Sequence, residues 1–383
     1  MSHLFVNLPS FATDYSGAAS VLYNLGGLVV IHEPSGCMGN FTGFDEPRWY
    51  HSPKRIFSSF IREDEAVIGD DSIIIEKILR ECKRNRPSFI AILGTPVPAL
   101  IGCDISGIAA EVTDATGITA FGLETNGFGY YHDGIENALI ALEEHFMEGK
   151  TENMYGTVNI LGYTPLDFFL SGDDEALRLF VASCGYRVLC FLSGDNLEGI
   201  RYSPNAEKNI VVSASAIPLA EKMKAKYKIP YCVGLPCGIY GEEKIRCFLQ
   251  NTEPKIPTPS VCSGKALIIG EQVFANAVRD ILIYEYGFSE VTNATFFAFS
   301  PQLATSGDVA LSDELHLKKL MKNGVYDLVI GDPLFREFTT PGQRFISIPH
   351  PAVSSKLNWN SYVSILGRGF SGYISEHNAQ NQT

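Results

Sequence analysis

The sequence predicts an α/β fold of three Rossmann-like, doubly wound domains with mostly parallel sheets, and three observations predict it. The first is a series of short apolar runs: GLVVIH (27–32), FIAILG (89–94), ITAFGLET (118–125), VNILG (158–162), YRVLCFL (186–192), NIVVS (209–213), KALIIG (265–270), DLVIGD (327–332) and RFISIPH (344–350). Near-continuous apolar runs of this length mark parallel strands covered on both faces. The second is the amphipathic stretches between them, such as DSIIIEKILRECKRN and GEQVFANAVRDILIYEYG. Strand–helix alternation repeated this often builds doubly wound sheets. The third is that the alternation restarts twice, with VNILG after the polar TENMYG and with KALIIG after the Pro- and Ser-rich LQNTEPKIPTPSVCSG. These breaks divide the chain into units at 1–150, 151–260 and 261–383.

A chain of 383 residues with 45% hydrophobic and 19% charged side chains has enough apolar surface to bury several cores and does not read as disordered. The net charge of −13 argues against a phosphate-backbone binder, which needs clustered Lys and Arg, and suits a basic protein partner or plain solubility. The N-terminal MSHLFVNLPSF lacks the basic and apolar regions of a secretory signal, and the apolar runs are too short to span a bilayer. A cytoplasmic protein with no membrane partner is expected. Nine cysteines, an odd number, fit reduced thiols better than a disulfide framework.

No G-x-G-x-x-G follows a strand, and no G-x-x-x-x-G-K-[ST] occurs; SGKA at 263–266 lacks both the upstream glycine and the final hydroxyl. Neither H-E-x-x-H nor C-x-x-C is present, which removes the common zinc patterns. In doubly wound units ligands lie beyond the carboxyl ends of strands, so the residues just after strands carry the interest. Cys37 stands there, in the Gly-rich HEPSGCMGN turn after 27–32, with Gly36 beside it. Cys103 stands beyond 89–94, where a helix should begin, preceded by Gly102. A helix N-terminus favours the thiolate, the metal-binding form, and glycine lets backbone approach an inorganic cluster closely. Two buried structural cysteines are the alternative.

HEPSGCMGN resembles the H-x-P-x-G-C turn of nitrogenase component 1 and its relatives, which carries a cluster-ligating cysteine. The stretch from REDEAVIGDD to LIGCDISGIAAE, the segment GLETNGFGYYHDG, and the later blocks VNILGYTPLDF, NAEKNIVVSASAIPLAEKMKAKYKIPYCVGLPCG and IGEQVFANAVRDILIYEYG resemble further parts of the same family, in order, from about residue 13 to about 360. The resemblance implies a nitrogenase component 1-like fold with Cys37 and Cys103 as metal ligands, supported by Gly36 and Gly102.

The departures narrow what the resemblance implies. Pro96 occupies a position where relatives often have a ligand cysteine, Cys103 replaces the first aspartate of the "liGdDi" segment, and Thr13 and Asp14 stand where many relatives have an N-terminal cysteine. Two thiolates per subunit do not make a P-cluster, but four across a two-fold interface match one [4Fe–4S] cluster. Val212 and Ser213 stand where relatives anchor the iron–molybdenum cofactor through a cysteine, and His350 in FISIPHPAVSS matches the family's histidine anchor, either as a catalytic contact or as a structural residue. The resemblance is thus to the branch lacking P-cluster and molybdenum-cofactor ligands, such as the tetrapyrrole reductases and the reductive cyclase of nickel sirohydrochlorin. It implies a homodimer or paralogous heterodimer, an ATP-dependent iron protein as electron donor, and reduction of a small organic substrate. The rivals are a scaffold for metal-cofactor assembly and a chelate-binding protein without redox turnover. A substrate cleft is expected between the turn before Cys37, Thr125–Gly129, Ser213–Ser215, Leu235–Gly238 and Pro349–Ser354.

Overall fold

A computed structural model describes residues 5–169, 172–194, 196–258 and 263–380. Residues 1–4 of the N-terminal segment, and the end of the second linker with Cys262, lie outside the described residues. Three sheets organise the chain. The first contains β1 (Leu28–Ile31), β2 (Ile56–Ser58), β3 (Ile90–Leu93) and β4 (Ala120–Leu123) in the order β2-β1-β3-β4. The second contains β5 (Met154–Leu161), β6 (Arg187–Phe191), β7 (Ala206–Val211) and β8 (Tyr231–Val233) in the order β6-β5-β7-β8. The third contains β9 (Lys265–Ile269), β10 (Glu290–Thr295), β11 (Val309–Ala310), β12 (Leu328–Gly331) and β13 (Arg344–Ser347) in the order β11-β10-β9-β12-β13. Each strand pairing among these is parallel.

Burial on both faces explains the unbroken apolar runs. In the first sheet Val29, Ile31, Ala91 and Leu93 join the main core, while Leu28, Val30, Ile90 and Ile92 face a smaller core completed by Ile74, Ile78, Ile105 and Val112. Nine strands coincide with the nine apolar runs. The strands β2, β8, β10 and β11 carry no such run: three of them are two or three residues long, and β10 reads EVTNAT. Its buried Asn293 is tolerated because its amide donates to Asn276 Oδ1 at 2.9 Å. The strand β5 also begins at Met154, inside the polar stretch expected as a linker; Gly156 with φ 70° and a register shift between Met154 and Val158 carry the chain into the sheet.

The helix Asp14–Leu22 is buried along its whole length and crosses the helix Tyr131–Phe146 at glycines. A Cβ on Gly17 would lie 1.9 Å from the Tyr131 carbonyl oxygen, and one on Gly134 would lie 1.7 Å from that of Asp14. Only glycine permits this crossing. Among the described residues no helix is long and apolar enough to cross a membrane.

Candidate functional site

Strand order decides where ligands can sit. In each sheet the chain reverses direction across the sheet beside its first strand, so a crevice opens between the carboxyl ends of β1 and β3, of β5 and β7, and of β9 and β12. The loops after β1 and β3 carry Cys37 and Cys103. Those after β5 and β7 carry Asp167 and Ser213–Ser215, and those after β9 and β12 carry Glu271 and Asp332.

The Cys37 turn is held by a buried carboxylate. Glu33 accepts the backbone N–H of Cys37 at 2.6 Å and that of Met38 at 3.1 Å, opening the short helix Cys37–Asn40. The Thr95 hydroxyl donates to the His32 carbonyl at 2.6 Å, tying this turn to the loop after β3. The Cys37 thiol is half-buried and faces the hydroxyls of Tyr15 and Thr95. Burial pushes the thiol pKa up and Glu33 adds to the rise, while the two hydroxyls act against it.

Cys103 follows Gly102, which ends the helix Pro96–Ile101 in a left-handed conformation. Helix initiation does not favour its thiolate, contrary to the sequence expectation. Asp104 is the N-cap of the helix Ile105–Thr116, accepting the Gly107 N–H at 2.8 Å, and so brings a negative charge where the thiol would need a positive one. The Cys103 thiol donates to Asp71 Oδ1 at 3.7 Å. Burial first, then Asp71, Asp104 and Glu124, push its pKa up to about 12.

The backbone just before each cysteine is open: a Cβ on Gly36 (φ 111°) or Gly102 (φ 71°) would meet no atom within 4 Å beyond its chain neighbours. Position and space therefore fit an iron–sulfur cluster, which would displace both protons on binding. Among the described residues no three His, Cys, Asp or Glu side chains converge as a metal site, so a four-thiolate cluster here would need ligands from a second chain.

The second and third crevices meet at His350. Its N–H donates to Asp332 Oδ2 at 2.8 Å, and its ring stacks on Phe297 with centroids 5.3 Å apart. Nε2 lies 3.4 Å from Asp167 Oδ1, which accepts the Tyr131 hydroxyl at 2.5 Å. The imidazole does not cap the helix Pro351–Ser354, and both ring nitrogens are buried without a hydrogen bond. Glu271 bridges the two sheets, accepting the Ala214 N–H at 2.8 Å and the Phe274 N–H at 2.9 Å. Burial and the nearby Asp167 push the Glu271 carboxyl up to about 7.

The expected single cleft is divided. Between His350, Asp167, Glu271 and Tyr362 the cavity is about 20 Å³, room for roughly one water. Leu235 lines a separate cavity of about 40 Å³ with Asn276 and Asp280, and Cys237 is wholly buried. Asn126 and Gly127 are tied by their N–H groups to the Asp14 carboxylate, each at 2.8 Å. Val353 and Ser354 instead line a pocket of about 590 Å³ with Phe11, Tyr15, Asn40 and Phe44, adjoining the Cys37 turn.

Sequence reading did not single out Tyr15, Asp45, Asp167 or Glu271. Glu271 and Asp167 stand within a few residues of strand ends, the signal that marked the cysteines; Tyr15 and Asp45 have no local signal.

A sequence model described as nitrogenase component 1 type oxidoreductase matches residues 13–245, well over half of the chain. The chain belongs to this family. Among the relatives of this component 1 type chain is the nitrogenase iron-molybdenum cofactor biosynthesis protein NifE of a Nostoc species, 26% identical over 257 residues, covering 64% of this chain and 51% of that protein. Another is the nitrogenase molybdenum-iron protein alpha chain of Clostridium pasteurianum, 23% identical over 269 residues, covering 67% of this chain and 48% of that one. The chain thus spans about half the length of the curated relatives it matches. A solved structure titled "Nitrogenase Cp1 at pH 6.5" shares the fold, with a TM-score of 0.74 at 16% identity over 99% of this chain and 93% of that one.

Proposed function

We propose that this chain is a cytoplasmic subunit of an iron–sulfur reductase, in which Cys37 and Cys103 join the equivalent pair of a second subunit to hold one [4Fe–4S] cluster. Gly36 and Gly102 leave the backbone open around it. An ATP-dependent iron protein supplies the electrons, and a small organic molecule, with tetrapyrroles as the leading class, is reduced. When bound, such a cluster passes electrons one at a time at low potential. The chain's own residues position and shield it: Glu33 fixes the turn, and the Tyr15 and Thr95 hydroxyls face the Cys37 sulfur. His350 serves as a proton-handling contact, and the three units at 1–150, 151–260 and 261–383 each centre on one sheet.

The surface around the thiols carries this reading. Every loop at the carboxyl edge of the first sheet presents an exposed apolar side chain: Phe44 after β1, Phe60 after β2, Leu100 after β3 and Phe128 after β4. Val67 and Ile68, on a helix that packs against Pro96–Ile101, are 80% and 76% exposed. A single apolar side chain on a surface needs no explanation, but a ring of them around two paired strand ends marks an interface. Anaerobic reconstitution tests it: about four iron and four sulfide per dimer are expected, following four-thiolate ligation. A Cys37→Ala, Cys103→Ala variant that keeps its full iron would overturn the assignment.

A second reading, a scaffold on which a metal cofactor is assembled, is favoured by the names of relatives such as NifE. Repeated turnover of an organic substrate, with ATP hydrolysed only when the iron protein is present, separates the reductase from the scaffold. Iron and sulfide bound at stoichiometry separate both from a simple chelate-binding protein.

A further inference from the structure

The narrow His350 cavity leaves the question of where an organic molecule of useful size binds. The pocket of about 590 Å³ beside the Cys37 turn lies within the roughly 300–1,000 Å³ of small-molecule sites. Its walls come from four separate stretches of chain: the N-terminal arm at Phe11, the buried helix at Tyr15, the turn after β1 at Asn40, Phe44 and Asp45, and the segment Val353–Leu357. The wall is closed on one side by the Ser355 hydroxyl, which donates to the Phe44 carbonyl at 2.6 Å. Phe44 and Leu357 are 52% and 74% exposed, an apolar outlay at the mouth that a molecule covering them would recover.

The polar groups are few and placed at opposite ends. At the rim, Lys356 Nζ donates to the Tyr50 hydroxyl at 2.9 Å and lies 4.7 Å from the Tyr50 ring centre and 5.9 Å from that of Trp359. Among the described residues it has no carboxylate within 4 Å, although the chain carries a net charge of −13. At the floor, Asp45 accepts the Ser16 hydroxyl at 2.6 Å and the Asn40 amide at 3.0 Å. Burial pushes this carboxyl up to about 7, so near pH 7 it carries only part of the charge of an ordinary aspartate and repels an incoming anion less.

We infer that this pocket binds a flat, largely apolar organic acid, with its body against Phe11, Tyr15, Phe44 and Leu357 and its carboxylate on Lys356. Aromatic walls select a planar body, and an ammonium with no carboxylate partner among the described residues selects an anion at the mouth. Tyr15 gives the site a second meaning, since the same side chain lines the pocket and directs its hydroxyl at the Cys37 thiol. A ligand here is separated from that sulfur by one side chain. Its role as the substrate site rests on the reductase reading; its existence as a ligand site does not.

The test uses purified full chain without iron, titrated with two fluorescent probes of similar shape: anionic anilinonaphthalene sulfonate and uncharged phenylnaphthylamine. The expected result is one site per chain, with the anionic probe bound about tenfold more tightly, a difference of about 1.4 kcal/mol. Lys356→Met should remove that advantage and leave the neutral probe unaffected. Leu357→Asp, at an exposed position that the fold does not need, should weaken both probes about tenfold at an unchanged melting temperature. Several weak sites, or affinities that neither substitution alters, would overturn the inference. Because no cluster is involved, a positive titration beside failed iron reconstitution would remove the reductase reading and leave the pocket standing.

Discussion

The Tyr131 hydroxyl donates to Asp167 at 2.5 Å, joining the helix that follows the first sheet to the strand-end turn of the second. Both side chains are buried, and Asp167 Oδ2 has no hydrogen bond. Burial and the carboxylate together push the tyrosine pKa far above its ordinary value, so it stays a donor at every working pH. Tyr131→Phe would strip Asp167 of this partner. A loss of about 1–3 kcal/mol in urea unfolding is expected, the cost of an unmet buried acceptor. An unchanged midpoint would show that His350 or water satisfies the carboxylate instead.

Asp45 predicts a pH dependence. Its folded value of about 7 is raised, first by burial and further by Glu46, against the help of the Ser16 hydroxyl; Asn40 and Tyr15 also face it. An unfolded aspartate titrates near 4, so the folded chain binds more protons between about pH 4 and pH 7. Stability from this group is full below pH 4, declines as pH rises through that window, and is flat above it. Asp45→Asn keeps an acceptor for Ser16 and removes the decline. Relative to wild type, the variant should gain up to about 4 kcal/mol between pH 4 and pH 8. Parallel stability curves for the two proteins would contradict the assignment.

The apolar ring predicts self-association or pairing with a paralogue. Ile68 and Leu100 are 76% and 75% exposed, so aspartate at both positions should leave the melting temperature of the isolated chain within about 2 °C of wild type. Sedimentation velocity should show loss of the dimer, and iron retention should fall with it. A dimer unaffected by both charges would place the interface elsewhere.

His350 separates a contact role from a structural one. Its imidazole makes no hydrogen bond to the backbone, and its backbone N–H supplies the bond to Asp332 whatever the side chain. His350→Gln should therefore preserve folding and iron content while lowering turnover about a hundredfold or more, within the range for loss of a proton-transfer group. Reduced stability with unchanged turnover per folded molecule would make the residue structural.

The α/β class was legible because its signal is local. A parallel strand such as 90–93 must be apolar on both faces, so the run IAIL announces itself without neighbours. Strand-end position was legible for Cys37 and Cys103 by the same route. Short strands escaped because β8 and β11 hold too few residues to show a period, and β10 because its buried Thr and Asn side chains find partners elsewhere in the fold.

Sequence by itself determined the alternation of strands and helices, and the placement of two thiols just beyond strands, since each depends on residues close together in the chain. Tertiary structure alone decided the strand order that sets those thiols on either side of one crevice. It also decided the acidic surroundings of Cys103, where Asp71 approaches from 32 residues away and cancels the benefit expected of a helix start. The narrow His350 cavity and the wide pocket at Tyr15 are likewise products of folding, because their walls join residues hundreds of positions apart. Coulombic and packing terms act through space, and a linear sequence does not display distance.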